Sequence, residues 1–149
     1  MKIEAIKRIL CATDFSQESE KATEFAASMA LEIKNSELIL INVIKPIPAF
    51  SGDITEESQI VDSENDIKRN SEEKMMSLIR DIQSSGVNKV RGLVVIGDPA
   101  FMIVQEADKS GATLIVLGTR KHGFKRGIIM GSVSERVSAN SPVSVLIVR

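Results

Sequence analysis

The sequence predicts an α/β protein with a doubly wound, five-stranded, mainly parallel sheet between two layers of helices. Five short runs rich in Val, Ile and Leu alternate with segments of helical period. The second run, residues 38–44, is nearly continuous, which is typical of a strand that helices cover on both faces. The length of 149 residues is that of one domain, which can bury a full core without disulfides or a structural metal.

The predicted strands are residues 8–13, 38–44, 90–96, 113–118 and 143–148. Between them, apolar side chains recur at helical spacing and form four stripes, each typical of a helix with one buried face. The stripes are Ala22, Phe25, Ala26, Met29, Ala30 and Ile33; Met75, Leu78, Ile79 and Ile82; Ala100, Ile103, Val104 and Ala107; and Ile129, Val133 and Val137.

Two helix starts can be predicted from their capping residues. Asp98 followed by Pro99 indicates an N-cap with proline at the first helical position. Ser132 and Glu135 have the spacing of a capping box, with Ser132 as the N-cap. Asp98 closely follows the third predicted strand, and Ser132 ends the segment that follows the fourth strand, so each helix is expected to begin on the carboxyl side of the sheet.

The remaining connections indicate one continuous domain, residues 1–149. Gly86 and Gly111 stand where two helices are expected to end. Residues 46–58 contain two prolines and no apolar period, and they predict one long loop after the second strand. No internal repeat, low-complexity tract or linker divides the chain.

The composition excludes several classes of protein. Nineteen Lys and Arg against twenty Asp and Glu give a net charge of −1, which argues against a dedicated nucleic-acid binder. Five Phe with no Trp or Tyr argue against a base-stacking surface. The single cysteine, Cys11, lies in an apolar run and is expected to be a buried thiol. With no signal-peptide core and no apolar stretch of roughly 20 residues, a soluble cytoplasmic protein is predicted.

A glycine-rich basic segment, residues 118–132, follows the fourth strand. It holds four glycines and five basic or imidazole side chains. Glycines let backbone N–H groups approach an anion, and the following helix N-terminus adds partial positive charge. The segment therefore predicts a phosphate site, although P-loop and dinucleotide fingerprints are absent. Its basic residues, 120–126, contrast with acidic helices such as 17–24 and 56–73, which favours a small polyanion as ligand.

The same segment resembles the nucleotide loop of the universal stress protein family. The ATP-binding branch has Gly, two residues, Gly, nine residues, then Gly-Ser/Thr, and Gly118, Gly131 and Ser132 fall at those spacings. Further segments similar to this family occur in order along the chain: 8–16, 40–44, 97–104, 114–118 and 141–148. The resemblance implies the Rossmann-like, adenine nucleotide alpha hydrolase-like fold and a homodimer. The apolar strand 143–148 is the expected dimer edge.

The resemblance also implies a binding site for ATP or another adenine nucleotide. The base would lie between Asp14 and Val43, the ribose near Leu117 and Gly118, and the triphosphate along residues 118–132. Mg²⁺ or Mn²⁺ would be held through the phosphates. The binding residues implied are Ala12, Thr13, Asp14, Val43, Leu117, Gly118, Arg120, Lys121, Gly131, Ser132 and Val133. The implied function is a regulator of stress tolerance, read by a downstream protein partner, with little or no catalysis.

The chain departs from the family motif at Lys121, where the second glycine is expected. Its side chain either crowds the phosphates or pairs with one of them. In the first case the protein is a dimeric interaction module without nucleotide, and Lys121→Gly would create ATP affinity.

A weak nucleotide hydrolase is the other alternative, and its phosphate release would depend on His122 or Asp14. Asp14 could also simply close a turn with Ser16, and His122 is expected to be an exposed loop residue.

Overall fold

The computed structural model describes residue 2 and residues 5–48, 54–119 and 131–149. Within these residues strands and helices alternate along the chain, as predicted. The elements are β1 (Arg8–Ala12), α1 (Gln17–Glu32), β2 (Glu37–Ile44), α2 (Ile54–Ser84), β3 (Val90–Ile96), α3 (Pro99–Ser110), β4 (Leu114–Gly118), α4 (Ser132–Asn140) and β5 (Ser144–Val148).

All five strands lie in one sheet, in the order β3-β2-β1-β4-β5. Every pairing is parallel, so the prediction of a doubly wound α/β fold is confirmed. The central strand β1 sets the register on both sides, since Ile9 is opposite Leu38 of β2 and Leu114 of β4. Each strand begins and ends within one residue of its predicted bounds.

The core has two layers, one on each face of the sheet. Because successive side chains of a strand point to opposite faces, Ile9 and Cys11 pack beneath α1 and α2, while Leu10 packs beneath α3 and α4. The helices contribute the apolar stripes predicted from the sequence, including Ala22, Ala26 and Met75 on one face and Ala100, Ile103, Ala107 and Val137 on the other.

Cys11 is fully buried in β1, and burial raises the pKa of its thiol to about 12. Because the thiolate is the reactive form, we expect a disulfide reagent at pH 8 to label the folded protein at least about a hundredfold more slowly than a free thiol. In denaturant, one equivalent of label per chain should be incorporated at the ordinary rate. Rapid, complete labelling of the folded protein would contradict this prediction.

The helix α2 begins earlier than the sequence indicated. The loop predicted at residues 46–58 extends too far toward the C-terminus, since α2 already begins at Ile54. Residues 49–53 lie outside the described residues. Glu56 and Glu57 in the first turn favour a helix there through the helix dipole, without an apolar stripe. The Glu64 side chain also accepts a hydrogen bond from the Ile47 N–H, at 2.9 Å.

Helix α3 confirms both of its predicted ends. The Asp98 side chain accepts a hydrogen bond from the Phe101 N–H at 2.9 Å, and Pro99 is the first helical residue. Gly111 ends the helix in the left-handed conformation, at φ 67°.

No helix in the described part of the chain has the long apolar stretch that crossing a membrane requires.

Candidate functional site

The order of the strands creates a crevice at the carboxyl edge of the sheet, between β1 and β4. From β1 the chain continues into α1 on one face, whereas beyond β4 it resumes as α4 on the other. Ligands of open α/β sheets bind at such a switch point, because the connections diverge there and leave space. The candidate site is therefore set by topology as well as by the residues that line it.

A cavity of about 590 Å³ lies at this switch point, and this volume is in the usual range for small-molecule sites. Nine of the eleven binding residues implied by the sequence line it: Ala12, Thr13, Asp14, Val43, Leu117, Gly118, Gly131, Ser132 and Val133. The other two, Arg120 and Lys121, lie outside the described residues.

The cavity also has lining residues that are not among the eleven binding residues implied by the sequence: Ser16, Glu18, Ser19, Ile41, Lys45, Pro99, Ile103, Thr119 and Ser134. Two of them could have been found from strand alternation. Ile41 and Lys45 lie two residues before and after Val43, so a strand at this position places them on the same side. The others depend on how the helices pack.

One wall of the cavity is aliphatic. Ile41, Val43 and Leu117 come from β2 and β4, and Ile103 comes from α3 on the same face of the sheet. None of the described lining residues is aromatic. A flat apolar group in this cavity would thus be held by contact with branched aliphatic side chains rather than by ring stacking.

The turn after β1 forms the rim on the α1 side. The Asp14 carboxylate accepts a hydrogen bond from the Ser16 N–H at 3.0 Å, while its residue remains exposed. The Ser16 hydroxyl in turn caps α1 by accepting from the Ser19 N–H at 3.2 Å. Asp14 therefore closes the turn with Ser16 and lines the cavity at the same time, so the two roles weighed for it in the sequence are compatible.

The first turn of α4 forms the opposite rim, and the capping prediction there was wrong. Gly131, not Ser132, is the N-cap; it has no capping side chain, and Ser132 is the first helical residue. The Ser134 hydroxyl instead donates to the Gly118 carbonyl at 3.2 Å. This bond connects α4 to the end of β4, and Ser134 is a buried residue of the helix.

The two motif glycines in the described chain have different surroundings. A Cβ added at Gly118 would lie 2.6 Å from the carbonyl oxygen of Glu18, so this glycine lets the first turn of α1 pack against β4. A Cβ added at Gly131 would meet nothing within 4 Å. The sequence argument assigned both glycines to the approach of an anion, but the close packing at Gly118 is against the protein's own backbone.

The charges around the cavity are mixed. Asp14 and Glu18 are the acidic groups among the described lining residues, and Lys45 is the single cation there. Nearby, Arg136 of α4 forms a two-pronged ion pair with Asp98, at 2.8 and 2.9 Å. The hydrogen bonds from Arg136 and the Phe101 N–H lower the pKa of the Asp98 carboxyl. This pair connects the N-cap of α3 to the middle of α4.

The described residues contain no cluster of three or more His, Cys, Asp or Glu side chains that could hold a metal ion. Asp14 and Glu18 supply two carboxylates at most to the cavity. Mg²⁺ commonly binds through one or two carboxylates together with substrate phosphates. The described donor set is thus compatible with a phosphate-bound ion.

A five-stranded parallel sheet with a ligand-sized cavity at its switch point defines a Rossmann-like α/β protein with a small-molecule site. The chain matches the family model of the universal stress protein family over residues 5–149. It is 36% identical over 144 residues to the universal stress protein MJ0531 of Methanocaldococcus jannaschii, covering 96% of this chain and 82% of that protein. The chain belongs to the universal stress protein family.

Solved structures agree with this assignment. The chain superposes on MJ0577 of M. jannaschii with a TM-score of 0.79 and 29% identity, covering 96% of this chain and 95% of that one. A universal stress protein solved with cAMP (TM-score 0.66, 23% identity) and one from Archaeoglobus fulgidus solved with dAMP (0.62, 19%) have the same fold. Each of these two matches covers 97% of this chain and 98% of the other.

Proposed function

We propose that this protein binds ATP, or another adenine nucleotide, and regulates stress tolerance through a partner that reads its nucleotide state. The observation that supports this most is the cavity at the switch point. It brings a carboxylate, an aliphatic wall and the N-terminus of a helix together around a volume suited to a nucleotide. These three features match the three chemical parts of the ligand.

The base would lie between Asp14 and Val43. The aliphatic wall would contact its faces, and the Asp14 carboxylate could accept a hydrogen bond from the 6-amino group of adenine. Guanine has a carbonyl oxygen at that position, which a carboxylate would repel. The proposed site would therefore prefer adenine over guanine nucleotides.

The ribose would lie near Leu117 and Gly118, and the phosphates along residues 118–132. The first N–H groups of α4 support this placement, since Gly131 has no side chain to cap them and they lie at the cavity rim. Phosphates accept such N–H groups readily, and the helix dipole favours their negative charge. Mg²⁺ or Mn²⁺ would accompany the nucleotide through its phosphates, with Arg120 and Lys121 as further phosphate contacts.

We propose little or no intrinsic turnover. The described lining residues supply hydroxyls and carboxylates but no imidazole or thiol beside them to activate a nucleophile. Cys11 faces the α1 and α2 side of the sheet, away from the aliphatic wall of the cavity, and is buried. ATP would then act as a bound signal, with slow hydrolysis as an incidental reaction.

The cytoplasmic homodimer expected from the sequence remains part of the proposal. Strand β5 is at an edge of the sheet, and Val145, Leu146, Ile147 and Val148 are only half-buried in the single chain. An apolar edge strand of this kind invites pairing with a second copy. Dimer formation through residues 143–148 would cover this edge.

Calorimetric titration of the purified protein tests the proposal. We expect micromolar binding of ATP with Mg²⁺ and at least about tenfold weaker binding of GTP, because adenine has an amino group at position 6, where guanine has a carbonyl oxygen. Since cAMP and dAMP occur in structures of the same fold, they serve as competing adenine ligands. Absence of binding heat, together with no nucleotide in the purified protein by mass spectrometry, would overturn the proposal.

A further inference from the structure

A buried amide in β2 has a partner for its donor group but none among the described residues for its acceptor. Asn42 is 6% exposed, and its Oδ1 has no hydrogen-bond partner in the described residues. Its Nδ2 donates to the Thr13 carbonyl at 2.8 Å. Because Oδ1 is buried without a partner, the contribution of this side chain comes from the hydrogen bond that it donates to the Thr13 carbonyl.

That hydrogen bond holds the peptide where the chain leaves the sheet. The paired residues of β1 and β2 end at Ala12 and Ile41, and Thr13 would be opposite Asn42 at the next step. The Thr13 N–H still donates to the Ile41 carbonyl at 2.9 Å, but two residues later Phe15 has a φ of 63°. The backbone of β1 turns away from β2 after Thr13. The Asn42 side-chain amide therefore donates to the Thr13 carbonyl in place of a backbone N–H of β2.

Thr13 is held from the other side as well. Its hydroxyl oxygen accepts from the Phe15 N–H at 3.0 Å and lies 3.1 Å from the Ser19 hydroxyl of α1. Thr13 and Ser19 are both buried. The peptide that joins Thr13 to Asp14 is thus held between β2 and the first turn of α1, and its orientation determines where the Asp14 side chain begins.

We propose that Asn42 is a positioning residue for base recognition. It holds the Thr13–Asp14 peptide so that the Asp14 carboxylate meets the 6-amino group of an adenine base. This inference rests on the proposed function and deepens it, because it assigns the preference for adenine to a residue that does not line the cavity. Asn42 acts through Asp14 and does not touch the nucleotide.

The variant Asn42→Leu tests this role, since leucine has nearly the same size and cannot donate a hydrogen bond. We expect the ratio of ATP affinity to GTP affinity to fall by about tenfold. The melting temperature should fall only modestly, because leucine removes the unpartnered Oδ1 but leaves the buried Thr13 carbonyl without its donor. Without nucleotide, the amide hydrogens of Phe15 and Ser16 should exchange faster, because their turn has lost its support from β2. Asn42→Ala serves as a second variant if leucine does not fold.

The matched control is Ser36→Ala. Ser36 is also a buried polar residue, 7% exposed, but its hydroxyl donates to the Ile33 carbonyl just before β2, at the amino ends of the strands and away from the cavity. It should leave the affinity ratio and the exchange of Phe15 and Ser16 unchanged. An unchanged ratio in Asn42→Leu would overturn the inference while leaving nucleotide binding intact. If the wild-type protein binds no nucleotide, the proposed function fails. In that case, unchanged amide exchange of Phe15 and Ser16 in Asn42→Leu would also show that Asn42 does not position the turn.

Discussion

A tryptophan at position 131 is expected to abolish ATP binding while the fold remains intact. Gly131 lies at the rim of the cavity, where the phosphates are proposed to meet the N-terminus of α4. An indole at this point would occupy the space of the ligand and cover the first N–H groups of the helix. We expect calorimetry to show ATP affinity weaker by at least about a hundredfold, or roughly 2.7 kcal/mol.

Gly131→Ala is the matched control for this variant. A Cβ at this position meets nothing within 4 Å, and the backbone angles of φ −60° and ψ 155° are open to any residue. Alanine should therefore keep the melting temperature and most of the ATP affinity. If Gly131→Trp binds ATP as tightly as the wild-type protein, the phosphates do not lie at this rim.

The second large effect is expected on stability, from Gly118→Ala. The added methyl group would lie 2.6 Å from the Glu18 carbonyl oxygen and 3.2 Å from its carbon, both in the backbone of the first turn of α1. A helix turn cannot move aside as a flexible side chain can, so we expect the overpacking to cost about 1–3 kcal/mol. Thermal unfolding should show a fall in Tm of roughly 3–10 °C.

Gly131→Ala again provides the comparison, because it makes the same chemical change in open space. A difference in Tm between the two alanine variants isolates the contact with α1 from the general cost of replacing glycine. Equal melting temperatures would show that α1 can shift without loss of stability. The close approach at Gly118 would then make no contribution to the free energy of unfolding.

These two glycines show what a motif can and cannot predict. Their spacing indicated a nucleotide loop, and both line the cavity. The sequence argument placed both glycines in a nucleotide loop, whereas the surroundings of Gly118 are set by helix α1, which begins about a hundred residues earlier in the chain. A spacing pattern records that a small residue is present but not which neighbour requires it.

The same distinction applies to α4. Ser132 and Glu135 have the spacing of a capping box with Ser132 as the N-cap, yet the N-cap is Gly131 and Ser132 is the first helical residue. The Ser134 hydroxyl bonds the Gly118 carbonyl, a partner sixteen residues away. Local spacing predicted that a helix would begin here, but contact with the end of β4 determined which hydroxyl is used and left the first turn without a side-chain cap.

Apolar periodicity in the sequence by itself determined the strands, the existence of the helices and the α/β class, and the resemblance of its motifs to a known family implied nine of the residues around the cavity. Only the tertiary structure decided that Lys45 and Glu18 share the cavity, that α1 packs on Gly118, and that Asn42 holds the turn before Asp14. Each of these depends on strand order and helix packing, which bring distant residues together and leave no periodic signal in the chain.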